Sequence, residues 1–112
     1  MKFTVNNQEW ELLFVNPNSE ELMISNGTIT IGTTDNIKKK VFINNRLNDY
    51  LFDKCLAHEL CHVYAFSFDY FMDIQTEEIV ADFFSLFGRS MVYMLDDLIN
   101  ILKKSLGGFI AN

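Results

Sequence analysis

The chain has 112 residues and a net charge of −6, and 49% of its residues are hydrophobic, among them 11 phenylalanines. This size allows one domain with a packed core over residues 1–112 and excludes two such domains, and the composition excludes a disordered chain. The acidic charge excludes broad electrostatic binding to nucleic acid, which requires a basic surface.

The first half of the chain predicts β-structure. Four segments rich in β-branched and aromatic residues predict strands at residues 3–5, 10–15, 28–31 and 41–43. Turn signals separate the segments at residues 16–18, at Asn26-Gly27 and at residues 32–36. Residues 20–24 fit either a strand or one turn of helix. We therefore expect a small, mostly antiparallel sheet.

The second half predicts two helices. Asn48 or Asp49 can cap a helix that runs through about Phe66, and Asp73 can cap a second, longer helix that ends near Gly107-Gly108. Apolar residues recur along the second helix at spacings of three and four, which predicts a side packed into the core. They are Val80, Phe83, Phe84, Phe87, Met91, Met94, Leu95 and Leu98. A sheet followed by two helices is an α+β domain.

Several features bear on the cellular compartment. The N-terminal sequence MKFTVNNQEW lacks the apolar core of a signal peptide, and the apolar residues 79–95 include Asp82 and Arg89. No membrane partner is therefore expected. Cys55 and Cys61 lie six residues apart on the first helix, which disfavours a disulfide between them. Together these features predict a cytoplasmic protein.

The first helix contains the only two histidines of the chain, within LAHELCHVYAF, residues 56–66. His58 and His62 are four residues apart, so one face of a helix can direct both imidazoles to one metal ion. Glu59 lies beside them, where it can act as a general base. This is the H-E-x-x-H pattern of zinc metallopeptidases. The alternative is a pair of ordinary helix residues.

A third ligand is needed, because a catalytic zinc usually has three protein ligands and a water. The chain has no further histidine, so the ligand must be a carboxylate or a cysteine. Glu78 and Asp82 are four residues apart at the start of the second helix. We predict that Glu78 ligates the metal and that Asp82 accepts a hydrogen bond from a ring nitrogen of His58. The alternative is that these acids only favour the first turn of the helix.

The spacing of His58, Glu59 and His62 relative to Glu78 and Asp82 resembles that of the gluzincins, such as thermolysin-like peptidases. The stretch GTTDNIKKKVFINNRLNDYLFDKCLAHELCHVY is similar to short zincin-like proteins of the ImmA/IrrE group and their phage or mobile-element relatives. The resemblance covers about residues 28–87 and implies a minimal zincin-like domain with one zinc ion per chain. It also implies a repressor-type protein as the substrate, paired with the strand at residues 28–31. Because EEIVADF stands where many members have E-x-E-A, Glu77 remains an alternative to Glu78.

Two functions are consistent with this sequence. The first is a zinc metalloendopeptidase that hydrolyses a peptide bond in an intracellular protein, with Glu59 taking a proton from water and delivering it to the leaving amine. Its partner would be a protein or peptide substrate, and its oxyanion stabiliser is left open among Tyr64, Tyr70 and Arg89. The second is a zincin-fold module that binds a protein, with a structural metal or none. The sequence leaves the oligomeric state open.

Overall fold

A computed structural model describes residues 1–107, so residues 108–112, including the predicted helix stop at Gly108, lie outside the described part. A sheet of four strands is followed by two helices, which confirms the α+β class. The strands are β1 (Lys2–Val5), β2 (Gln8–Val15), β3 (Gly32–Asp35) and β4 (Lys40–Asn44). The helices are α1 (Asp49–Ser67) and α2 (Ile74–Ser105), and a short 3-10 helix spans Glu20–Leu22.

The sheet has the strand order β1-β2-β4-β3. β1 and β2 form an antiparallel hairpin whose two turn residues, Asn6 and Asn7, have φ of 49° and 62°. Asparagine adopts this left-handed conformation more readily than most residues, so the pair suits a two-residue hairpin turn. β3 and β4 also pair antiparallel, whereas the central strands β2 and β4 pair parallel. The sheet is thus mostly antiparallel, as predicted.

The third strand lies four residues further along the chain than predicted. Residues 28–31 make one isolated bridge, between Met23 and Ile29, and the strand is Gly32–Asp35 instead. The reason is the position of the turn that follows. The Asp35 carboxylate accepts hydrogen bonds from the backbone N–H of Ile37 and Lys38, both at 2.9 Å. The turn therefore begins after Asp35, and the residues that precede it pair with β4.

The core lies between the sheet and α1. Trp10 of β2 is 1% exposed, and Val41 and Ile43 of β4 pack with it against Cys55 and Val63 of α1. Burial of these apolar side chains is the main term that holds the helix on the sheet.

Both helices begin at the predicted caps. The Asn48 side chain accepts a hydrogen bond from the backbone N–H of Leu51 at 2.9 Å, and Asp73 accepts one from that of Thr76 at 2.8 Å. α1 contacts the sheet on one side and α2 on another. With 32 residues, α2 is about 48 Å long and is the longest element of the fold.

The predicted core face of α2 is wrong. Its eight apolar residues from Val80 to Leu98, which we call the apolar stripe, are between 42% and 58% exposed. α2 turns a different side toward α1, on which Glu77, Ala81 and Gly88 are buried. On this side Ala81 is fully buried, and the ring of Phe84, the one member of the stripe that faces α1, covers Gly88. The rest of the stripe lies beside the helix contact, on the surface of the chain.

Two further expectations can be compared with residues 1–107. None of the helices there contains a segment long and apolar enough to cross a bilayer. Cys55 and Cys61 are both free thiols, as their spacing predicted.

Candidate metal centre

α1 brings its two histidines together at one point. His58 and His62 lie one turn apart on the same face, and their Nε2 atoms are 3.3 Å from each other. The His62 side chain is 8% exposed and that of His58 is 20% exposed, so both rings are largely shielded from water.

α2 adds the carboxylate of Glu78 to the same point. Its Oε2 lies 3.1 Å from His58 Nε2, and its Oε1 lies 3.0 Å from His62 Nε2. One ligand atom from each of the three residues lies within 4.8 Å of the other two. The predicted ligands are therefore neighbours in space, although they come from two helices.

The spacing of these atoms fits a zinc ion. Two nitrogens bound at about 2.0–2.1 Å in tetrahedral geometry would be about 3.3 Å apart, which is the separation of the two Nε2 atoms. Two imidazoles and one carboxylate also form a ligand set known from catalytic zinc sites. His58, His62 and Glu78 could thus hold zinc with little rearrangement.

The other ring nitrogens face carboxylates. His58 Nδ1 lies 2.9 Å from Asp82 Oδ1, and His62 Nδ1 lies 3.5 Å from Glu77 Oε2. A carboxylate at this position holds the proton on Nδ1 and leaves the lone pair of Nε2 free for a metal. Asp82, the residue predicted to accept this hydrogen bond, lies beside the His58 ring. The role of Glu77 at His62 was not anticipated: of the two adjacent acids, Glu78 reaches both Nε2 atoms and Glu77 lies at the other side of the His62 ring.

Glu59 is buried beside the histidines and is 6% exposed. The Thr34 hydroxyl of β3 donates a hydrogen bond to Glu59 Oε1 at 2.7 Å. Burial raises the pKa of the Glu59 carboxyl above its ordinary value, while the hydrogen bond from Thr34 opposes this rise. Sequence reasoning missed Thr34 as a partner because it assigned residues 32–36 to a turn instead of to a strand facing α1.

The three candidate metal ligands and Glu59 line a cleft of about 920 Å³. One wall is the edge strand β3 with the residues that precede it, and the other is the first part of α2. Apolar side chains from both walls and from α1 line the cleft: Ile24, Ile31, Leu51, Phe66, Ile74 and Leu86. The cleft is therefore lined by a strand edge, apolar surface and the candidate metal ligands.

The three candidates for an oxyanion stabiliser lie elsewhere. Arg89 forms a bidentate pair with Asp53, with nitrogen–oxygen distances of 2.6 and 3.1 Å. Tyr64 and Tyr70 are 53% and 69% exposed. Among residues 1–107, the side chains that line the cleft include none of these three.

The cysteines are poor candidates for the third ligand. The Cys55 thiol lies at the edge of the cleft but donates to the backbone carbonyl of Ile31 at 3.6 Å. Burial raises the pKa of Cys55 to about 12 and that of Cys61 to about 11, which opposes formation of the thiolate that a metal requires. The thiols are better suited to packing.

Comparison with protein-family models, with curated proteins and with solved structures finds no match to this chain.

Proposed function

We propose that this chain is a zinc-dependent endopeptidase that cleaves a peptide bond in an intracellular protein. The observation that carries the proposal is the convergence of His58, His62 and Glu78 on one point next to the buried carboxylate of Glu59. The gluzincin-like spacing of the same residues in the sequence supports it independently.

His58, His62 and Glu78 would hold one zinc ion, with Asp82 and Glu77 orienting the two rings through Nδ1. When bound, zinc would polarise the scissile carbonyl and activate a water molecule for attack. Glu59 would accept the proton of that water and deliver it to the leaving amine. The hydrogen bond from Thr34 would hold the Glu59 carboxylate in place during the transfer.

The substrate would be an extended peptide segment. β3 is an edge strand, with β4 on one side and the open cleft on the other. An extended chain could add to that edge through main-chain hydrogen bonds and place apolar side chains on the cleft walls. The ImmA/IrrE-like resemblance suggests a repressor-type protein as its source.

The proposal is tested first by metal content. Elemental analysis of the wild type should give about one zinc per chain, and Glu78→Ala should lose most of it. Asp96→Ala removes an exposed acid from the far part of α2 and should leave the zinc content unchanged. A wild type that takes up no zinc, even when zinc is supplied to the metal-free protein, would overturn the site.

Hydrolysis is tested separately with Glu59→Gln. This variant should bind zinc like the wild type but release no new termini from a proteome-derived peptide library read by mass spectrometry. Because removal of a general base costs about 100-fold or more, a variant that retains full activity would refute the role of Glu59.

A zincin-fold module that binds a protein is the second candidate. The observation that favours it is that Glu59 is buried and that its Oε1 already accepts a hydrogen bond from Thr34, as in a carboxylate with a structural role. A module of this kind would keep its fold and its partner when zinc is removed by a chelator. A peptidase would keep the fold and lose all hydrolysis under the same treatment.

A further inference from the structure

α2 exposes a continuous apolar surface that the fold leaves uncovered. The apolar stripe, together with Ile101 and Leu102, contains ten large side chains between 42% and 58% exposed. Soluble monomers rarely expose a contiguous apolar patch larger than a few hundred Å². A surface of this kind usually meets another molecule.

The spacing within this surface is that of a helix–helix seam. Apolar side chains occupy alternating positions three and four residues apart over three heptads, in the pattern of positions a and d of a coiled coil. The a positions are Phe84, Met91 and Leu98, and the d positions are Val80, Phe87, Met94 and Ile101. All seven are between 42% and 58% exposed in the single chain, although Phe84 also lines a cavity between α2 and α1, beside Ala57.

The area matches what a stable interface needs. Ten such side chains, each about half exposed, present on the order of 750 Å², if a large side chain buries about 150 Å², the lower end of the aromatic range. A standard protein–protein interface removes about 800 Å² from each partner. The seam together with Phe83, Leu95 and Leu102 therefore presents about the area that one partner contributes to an interface.

We propose that α2 pairs with α2 of a second copy of this chain, so that the seam forms the interface of a homodimer. The chain carries a net charge of −6, so most of its surface would repel the same surface of a second copy. The seven seam residues carry no charge, which lets this surface face its copy without contact between like charges.

The composition of α2 argues against a membrane as the occupant. Helices that lie on membranes present lysine and arginine on their polar side, where these residues attract anionic lipids. Along the whole of α2 there are five acids and three bases, which are Glu77, Glu78, Asp82, Asp96 and Asp97 and Arg89, Lys103 and Lys104. An anionic bilayer would repel this polar side, whereas a second copy of the seam would not.

Sedimentation velocity of the full chain from 1 to 100 µM tests the proposal. The wild type should sediment as a species of twice the 13.0 kDa chain mass. The double variant Met94→Asp/Leu98→Asp places two charges in the seam and should raise the dimer dissociation constant by 100-fold or more. Both side chains are exposed, so the monomer should keep its helix content in circular dichroism.

The matched control is Tyr93→Asp/Asn100→Asp, which adds the same two charges to the same turns on the opposite side of α2. It should remain dimeric. A folded wild type that is monomeric at 100 µM would overturn the proposal, and so would a dimer that survives the charges in the seam. Co-sedimentation of a monomeric wild type with anionic vesicles would identify a membrane as the occupant and overturn it as well.

Discussion

At Gly32 the backbone of β3 passes close to α1, and a single methyl group there should be costly. A Cβ atom at residue 32 would lie 2.5 Å from Cys55 Sγ and 3.2 Å from Glu59 Cγ, whereas ordinary contacts are 3.4–4 Å. The Gly32→Ala substitution therefore requires β3 or the Cys55 side chain to move by about 1 Å inside a packed region. Overpacking of this kind costs about 1–3 kcal/mol, which corresponds to a fall in Tm of roughly 4 °C per kcal/mol for a chain of this size.

A double-mutant cycle separates this clash from other effects of the substitution. Cys55→Ala should by itself cost about 1 kcal/mol, similar to the loss of one buried methyl group. In Gly32→Ala/Cys55→Ala the new methyl group occupies the space that Sγ leaves, so the two costs should not add. Urea unfolding of the four proteins should then give a favourable coupling of about 1–2 kcal/mol. Additive costs, or a Gly32→Ala variant as stable as the wild type, would refute the close approach of β3 to α1.

Three other predictions follow from burial. The buried Ser67 hydroxyl accepts a hydrogen bond from the Trp10 indole N–H at 2.9 Å. Ser67→Ala removes this acceptor and should lower the free energy of unfolding, measured in urea, by about 1–3 kcal/mol. The control Ser90→Ala, at an exposed position, should change it by less than about 0.5 kcal/mol. Burial raises the pKa of Glu59 in the folded state, so its charged form lowers the stability of the fold at high pH. Metal-free Glu59→Gln should therefore have a higher Tm than the wild type at pH 8, and this difference in Tm should disappear as the pH falls below about 4.5. An equal difference at every pH would exclude this cause. Burial raises the thiol pKa to about 11 for Cys61 and about 12 for Cys55, so at pH 8 their thiolate fractions are about 100-fold and about 1,000-fold below that of an ordinary thiol. Both should react with a thiol reagent correspondingly slowly, and rapid reaction of the folded chain would contradict these shifts.

The parts of the fold that could be predicted from the sequence are those set by neighbouring residues. The helix caps at Asn48 and Asp73 and three of the four strands were predicted, because caps, turns and β-branched runs act over a few residues. β3 was misplaced because Gly32 is a turn signal by composition, while the turn itself is fixed further on by the hydrogen bonds to Asp35.

Periodicity could not predict which side of α2 is covered. The repeat identified a row of apolar residues, but the residues of α2 that become buried are Glu77, Ala81 and Gly88, which lie mostly outside that row. In the candidate site, helical spacing predicted that His58 and His62 share a face. The spacing to Asp82 favoured Glu78 over Glu77 as the ligand, but the contact of Glu77 with His62 depends on how α2 crosses α1, which no local pattern encodes.

The parallel pairing of β2 with β4 has a consequence for how the chain folds. The β1–β2 and β3–β4 hairpins each join strands that are close in sequence, whereas the central pair joins Leu12 to Val41, and the chain between them must first be closed into a loop. The two hairpins can therefore form early and independently, and their docking edge to edge should be the slow step that completes the sheet. Trp10 pairs with Phe3 in the first hairpin, but it is buried only in the core beside that junction, so most of its fluorescence change should occur in the slow phase of refolding.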